Sequence, residues 1–245
     1  MSGVTLPRVM RSEWIKLATL RSTVLSYAAI AGVLVIVAGV ILTLPGAAPD
    51  GSTGDALVTL LVLVELLVGI TGVLAATGEY GAATIRSTLA AVPRRLPVLA
   101  AKVVVHGGLV LALWVPTTLA GLASGVVVAP DDVGPLTDAE ALRGLGGGAL
   151  AFTVVCVLGV AFGMLTRSTP AAIGILFAVM FLPVMVTVAP AATAFLPGRA
   201  AQALVFSDNP PEAELVGPAA AAGVLLAWAA AAVGAAALAL LRRDA

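Results

Sequence analysis

The chain has 245 residues, of which 60% are apolar and only 11% charged, and its mean hydropathy is +1.12. Soluble domains average roughly 45–50% apolar and about 25% charged residues, so too little polar surface is present to coat a globule in water, and the composition predicts an all-α integral membrane protein. Lys plus Arg and Asp plus Glu number 13 each, a neutral balance that gives no reason to expect a nucleic-acid partner. A single Cys156 and a single His106 exclude an internal disulfide and a Cys/His zinc site.

The first 23 residues are predicted to lie at the membrane surface. At 100° per residue, Leu6, Val9, Met10, Trp14, Leu17 and Leu20 share one face of a helix, and Arg8, Arg11, Ser12, Lys16 and Thr19 share the other. Pro7 near the start and Trp14 at the apolar edge suit a cytoplasmic interfacial helix. Glu13 falls among the apolar residues, which implies a protein partner or a snorkelling carboxylate. The plainer reading is a basic flank that only sets topology.

Crossing ~30 Å of hydrocarbon takes about 20 mostly apolar residues, and six stretches qualify, at 24–44, 56–77, 98–129, 144–165, 171–189 and 216–241. The first is too long for the core of a secretory signal, usually ~7–15 residues, and reads as a retained anchor despite Gly46-Ala47-Ala48 after it. Span two carries Glu65 near its centre, where a carboxyl group is costly and a functional candidate by default. His106 on span three lies within about two turns of that depth and is its candidate partner, for a proton relay or a polar lining of a substrate path. The plainer role for Glu65 is a hydrogen-bonded residue that fixes packing.

Between spans two and three, the 78–97 loop reads GEYGAATIRSTLAAVPRRLP. Ala82 to Val92 can form about three turns of helix, ended by Pro93 and followed by Arg94-Arg95. A short helix held parallel to the membrane can transmit a push from a cytosolic partner to two spans, with Glu79, Tyr80, Ile85, Arg86 and Leu89 as its contacts. The alternative is a linker whose arginines fix orientation only. Span three is overlong, ~48 Å if straight, which suggests a cytoplasmic start near Lys102 and a bend at Pro116. In the outer loop 190–215, two short apolar pieces broken by Pro197-Gly198 can form a re-entrant hairpin. An ordinary surface loop is the alternative.

Orientation follows from the cations alone. Of the 13 Lys and Arg residues, all but Arg143 and Arg199 fall on one side of this six-span arrangement, so both termini are predicted to be cytoplasmic in a cell (plasma) membrane. Catalytic chemistry is not expected. No G-x-x-x-x-G-K-[ST] phosphate loop occurs, Ser124 and His106 lie about 27 Å apart on one helix and cannot form a dyad, and Glu65 is the only acid well inside a span.

Arg11-Ser12-Glu13-Trp14-Ile15-Lys16-Leu17 ahead of span one and the run from Gly78-Glu79-Tyr80 through Thr84-Ile85-Arg86 to Pro93-Arg94-Arg95 carry a resemblance. The chain resembles the membrane permeases of type-2 ATP-binding cassette exporters, in the compact form common in actinobacteria. The resemblance implies a half-transporter in which two permease chains, alike or different, pair with two separate ATPase subunits that hold ATP and Mg. It also implies that Arg11 to Leu17 and Glu79 to Leu89 contact the ATPase, and that cargo passes at the dimer interface within the bilayer. Two other functions fit the same residues: a non-transporting membrane anchor or regulatory subunit, and an ion-coupled carrier using Glu65 and His106.

Overall fold

The structure is a computed structural model that describes residues 5–43, 52–81, 95–128, 139–185, 193–205 and 216–242, with side chains at 5–36, 63–80, 95–120, 123, 144–182, 193–205 and 216–242. Regular structure among them is entirely α-helical. The helices are α1 (Leu6–Thr19), α2 (Arg21–Thr43), α3 (Ser52–Gly81), α4 (Leu96–Val128), α5 (Ala139–Thr166), α6 (Thr169–Met185), α7 (Pro197–Val205) and α8 (Pro218–Arg242).

Four helical stretches are long and apolar enough to cross a membrane: Leu63–Tyr80, Leu96–Ala120, Gly144–Thr166 and Pro218–Arg242. A fifth is added if α1 and the described part of α2 are taken together, although the chain bends by 77° between them. The bend falls at Leu20, whose extended backbone (φ −80°, ψ 105°) interrupts the helix. In α6, Thr169–Leu182 is apolar but shorter. The protein is therefore a helical, membrane-embedded bundle with four to five such spans.

Helix α5 is central, packing against α3, α4, α6, α7 and α8. Its contact with α3 depends on glycine. A Cβ at Gly72 would strike the carbonyl oxygen of Cys156, and one at Gly159 would strike that of Gly69, so the two backbones meet directly. Gly163 continues the seam against Ala76. The sequence contains Gly159 and Gly163 at the small-x-x-x-small spacing of close helix pairs, but so Gly-rich a chain hides which of its many such pairs are used. Phe152, Val155, Leu158, Leu176, Met180, Leu225 and Leu240 fill the space around α5.

Several boundaries differ from those read in the sequence. Helix α3 continues through Gly78, Glu79 and Tyr80, which were expected in the following loop. Nothing in Gly78-Glu79-Tyr80 stops a helix, and Glu79 has partners that hold it there. Helix α4 keeps Pro116 within one continuous helix. The Thr117 hydroxyl donates to the carbonyls of Leu113 and Trp114, 2.7 and 3.0 Å away. Pro197-Gly198 begins α7 instead of ending a segment, because proline is pre-organised for the first helical turn. Gly198 lets that turn rest on the carbonyl of Met180 in α6. Most of α7 is buried, while 186–192 and 206–215 lie outside the described residues.

Candidate functional site

The densest charge cluster among the described residues joins α1 to α3 and α4. Helix α1 turns Val9, Glu13 and Leu17 inward, and Val9 packs with Val98 and Ala101 of α4. Lys102, one turn further along α4, is only 1% exposed. Its ammonium nitrogen lies 2.8 Å from Glu13 Oε2, 2.7 Å from Glu79 Oε1 and 3.2 Å from the carbonyl oxygen of Ala75. Lys16 mirrors it from the outer side, 2.7 Å from Glu13 Oε1 and 2.8 Å from Glu79 Oε1. Two lysines thus alternate with two glutamates in a closed, neutral square. The three donors of Lys102 are used on two carboxylates and one carbonyl, the arrangement a buried ammonium requires.

Burial alone would lower the Lys16 ammonium. Hydrogen bonds and charge attraction from Glu13 and Glu79 outweigh that and hold it above its ordinary value. The Lys16 ammonium is therefore charged at neutral pH, and the square fastens α1 to the ends of two long apolar helices.

The same end carries further ties. Arg95, just before α4, donates to the carbonyl of Leu240 in α8 at 2.9 Å. Arg167, between α5 and α6, has φ 56° and donates its backbone N–H to Gly163 at 2.9 Å, closing α5 with a left-handed residue. Its guanidinium lies 5.6 Å from the centre of the Tyr80 ring, within reach of a cation–π contact. Thr169 of α6 donates to the Thr77 hydroxyl at 2.8 Å.

Of the residues expected to couple to a partner, Glu79 lies in the charge square and Tyr80 under Arg167, whereas Ile85, Arg86 and Leu89 lie outside the described residues. In α1, Glu13 and Lys16 belong to the square, and Arg11 and Trp14 are exposed. Val9, Glu13 and Leu17, on the face expected to be apolar, are buried, whereas Leu6, Trp14 and Leu20 are exposed; capture of Glu13 by Lys16 and Lys102 holds that stripe inward. In the sequence Lys102 is an orientation charge near the expected cytoplasmic start of span three. A lysine inside an apolar run that begins at Pro97 requires a carboxylate, and Glu13 among the apolar positions of α1 was the matching signal.

Glu65 and His106 are both buried, at 1% and 5% exposure, but they are not hydrogen-bonded to one another. His106 Nδ1 lies 3.0 Å from the Tyr27 hydroxyl of α2, which donates to it when the ring proton is on Nε2. Among the described residues, neither Glu65 carboxyl oxygen has a hydrogen-bond partner. Tyr27→Phe should leave His106 Nδ1 buried and unsatisfied and cost about 1–3 kcal/mol, read as a lower unfolding temperature of the purified chain in nanodiscs; unchanged stability would remove the α2–α4 bond from the account. Among the described residues no group of His, Cys, Asp and Glu is arranged to hold a metal ion. The chain matches no protein-family model and no curated protein.

Proposed function

We propose that the chain is the membrane-spanning permease subunit of an ATP-dependent exporter of the type-2 ATP-binding cassette kind. In this reading six spans place both termini in the cytoplasm, and two permease chains pair with two ATPase subunits that bind ATP and Mg. The chain itself has no catalytic role. Closure of the ATPases biases the permease pair between inward-open and outward-open states by binding one of them better.

The observation that carries the reading is the charge square. A motor outside the membrane needs a stiff attachment, and here α1, the end of α3 and the start of α4 are tied through Glu13, Lys16, Glu79 and Lys102. Segment 82–94 joins α3 to α4, so a force applied to it is delivered to two spans and the surface helix together. The ion-coupled carrier has less support, because His106 is hydrogen-bonded to Tyr27 and Glu65 has no hydrogen-bond partner among the described residues.

The test is to look in the neighbouring reading frame for an ATPase with a phosphate loop and to co-purify it with this chain, for the natural chain and for Arg86→Glu, which leaves the square intact. The natural chain is expected to retain the ATPase, and Arg86→Glu to reduce recovery at least about tenfold, a loss of ~1.4 kcal/mol or more, with no change in thermal stability. Equal recovery would reject the coupling assignment, and a reporter fused to the C-terminus that reads outside would reject the orientation.

A further inference from the structure

Helix α1 has a second face besides the stripe that enters the charge square. Val9, Glu13 and Leu17 are buried, whereas Arg8, Arg11, Trp14 and Ile15 are exposed, Trp14 at 51%. Arg8, Arg11 and Trp14 follow one another at a spacing of three residues, which makes them neighbours on the helix surface. Ile15 stands one turn beyond Arg11. Two guanidinium groups are thus presented beside an indole and an aliphatic side chain, and Arg21 is exposed just past the break at Leu20.

The bend decides what this face meets. Helices α1 and α2 are inclined at 77°, so when α2 runs along the bilayer normal α1 lies nearly flat on the membrane surface, where headgroups meet the ends of the acyl chains. Indole rings favour that depth. Met10, Trp14 and Ala18, each one residue on from the buried stripe, form the apolar flank that reaches it.

The arginines are not neutralised from within the bundle. The acids with described side chains are Glu13, Glu65 and Glu79. Glu13 and Glu79 are held by Lys16 and Lys102, and Glu65 is enclosed in α3. Among the described residues, therefore, no carboxylate pairs with Arg8, Arg11 or Arg21. Anionic phospholipid is the component of a membrane surface that brings negative charge and hydrocarbon together, and cationic side chains at that surface attract it. An acidic protein surface would match the arginines but not the apolar flank.

We propose that Arg8 and Arg11 bind the phosphate groups of anionic phospholipid while Trp14 enters the acyl boundary beside them. Because the opposite stripe of α1 is fastened through Glu13 to Lys102, lipid gathered at α1 is gathered at the start of α4 as well. The inference does not depend on the exporter reading, and its test needs no ATPase.

The full chain is placed in nanodiscs of equal parts phosphatidylcholine and phosphatidylglycerol, with the acyl chains of one lipid or the other brominated, and quenching of Trp14 is taken as the part of the fluorescence signal that Trp14→Phe removes. Brominated phosphatidylglycerol is expected to quench Trp14 at least about twofold more than brominated phosphatidylcholine. The bias should vanish in a chain carrying both Arg8→Gln and Arg11→Gln, and should shrink when salt is raised from ~0.1 M to ~1 M, which shortens the screening length from about 10 Å to about 3 Å. The salt series on the natural chain keeps the test decisive even if the doubly substituted chain fails to fold. Equal quenching by the two lipids, no quenching by either, or a bias that survives the loss of both arginines or the added salt would overturn the lipid site. Equal quenching together with loss of the ATPase from the doubly substituted chain would give this face to a protein partner instead.

Discussion

Lys102→Met is expected to be the most destabilising single substitution at the inner charge square, by about 3–5 kcal/mol. Methionine matches the stem of lysine but removes the ammonium. Glu13, 2% exposed, then keeps only the partly exposed Lys16, and the carbonyl of Ala75 loses its donor. The partner substitution distinguishes charge pairing from packing. Glu13→Gln in the Lys102→Met background should restore part of the loss, since the stranded charge is gone, whereas each change alone is harmful. Thermal unfolding of the four chains of this cycle in nanodiscs gives the coupling directly. Simple additivity would mean that Glu13 and Lys102 do not hold α1 to α4.

The second large effect is expected where α3 meets α5. Gly72→Ala would drive a methyl group into the Cys156 carbonyl, and Gly159→Ala into the Gly69 carbonyl. The obstacle is backbone, which cannot swing aside as a side chain does, so the helices must separate. Overpacking of this kind costs about 1–3 kcal/mol per site, and two adjacent sites on one seam should be less than additive once the helices have moved apart. Gly174→Ala on α6 is the control, because a Cβ there meets nothing within 4 Å and alanine favours helix by up to ~1 kcal/mol. Unfolding temperatures should fall for the first two and stay level or rise for the third. If all three behave alike, the close approach of α3 and α5 is not a source of stability.

Gly159 and Gly163 show why such a seam is hard to read in advance. Their spacing is legible, but in a chain with 26 glycines the pattern recurs by composition alone. Only the structure selects the faces in contact. Glu13 is the opposite case. Its place among apolar positions of an amphipathic helix was an anomaly that demanded a partner, and a partner exists in Lys102. The anomaly gave no identity, because the two residues are 89 positions apart and periodicity carries no information beyond its own helix. Trp14, at the edge of the apolar face of α1, is exposed, while the charge square turns the stripe of Val9, Glu13 and Leu17 inward.

Glu65 was legible as costly, and His106 as near it in depth, from span boundaries alone. Their separation into an unpartnered carboxyl and a Tyr27-bonded imidazole was not, because depth along the membrane normal says nothing about direction around a helix axis. Composition and hydrophobic run length by themselves determined a helical, membrane-embedded chain with charges gathered at the helix ends, since apolar residues in that proportion cannot be covered in water. Tertiary structure alone decided which charges neutralise one another, which glycines let backbones touch, and which side chain His106 bonds. Each of those depends on how helices are rotated and paired, and rotation and pairing are set by contacts between residues far apart in the chain.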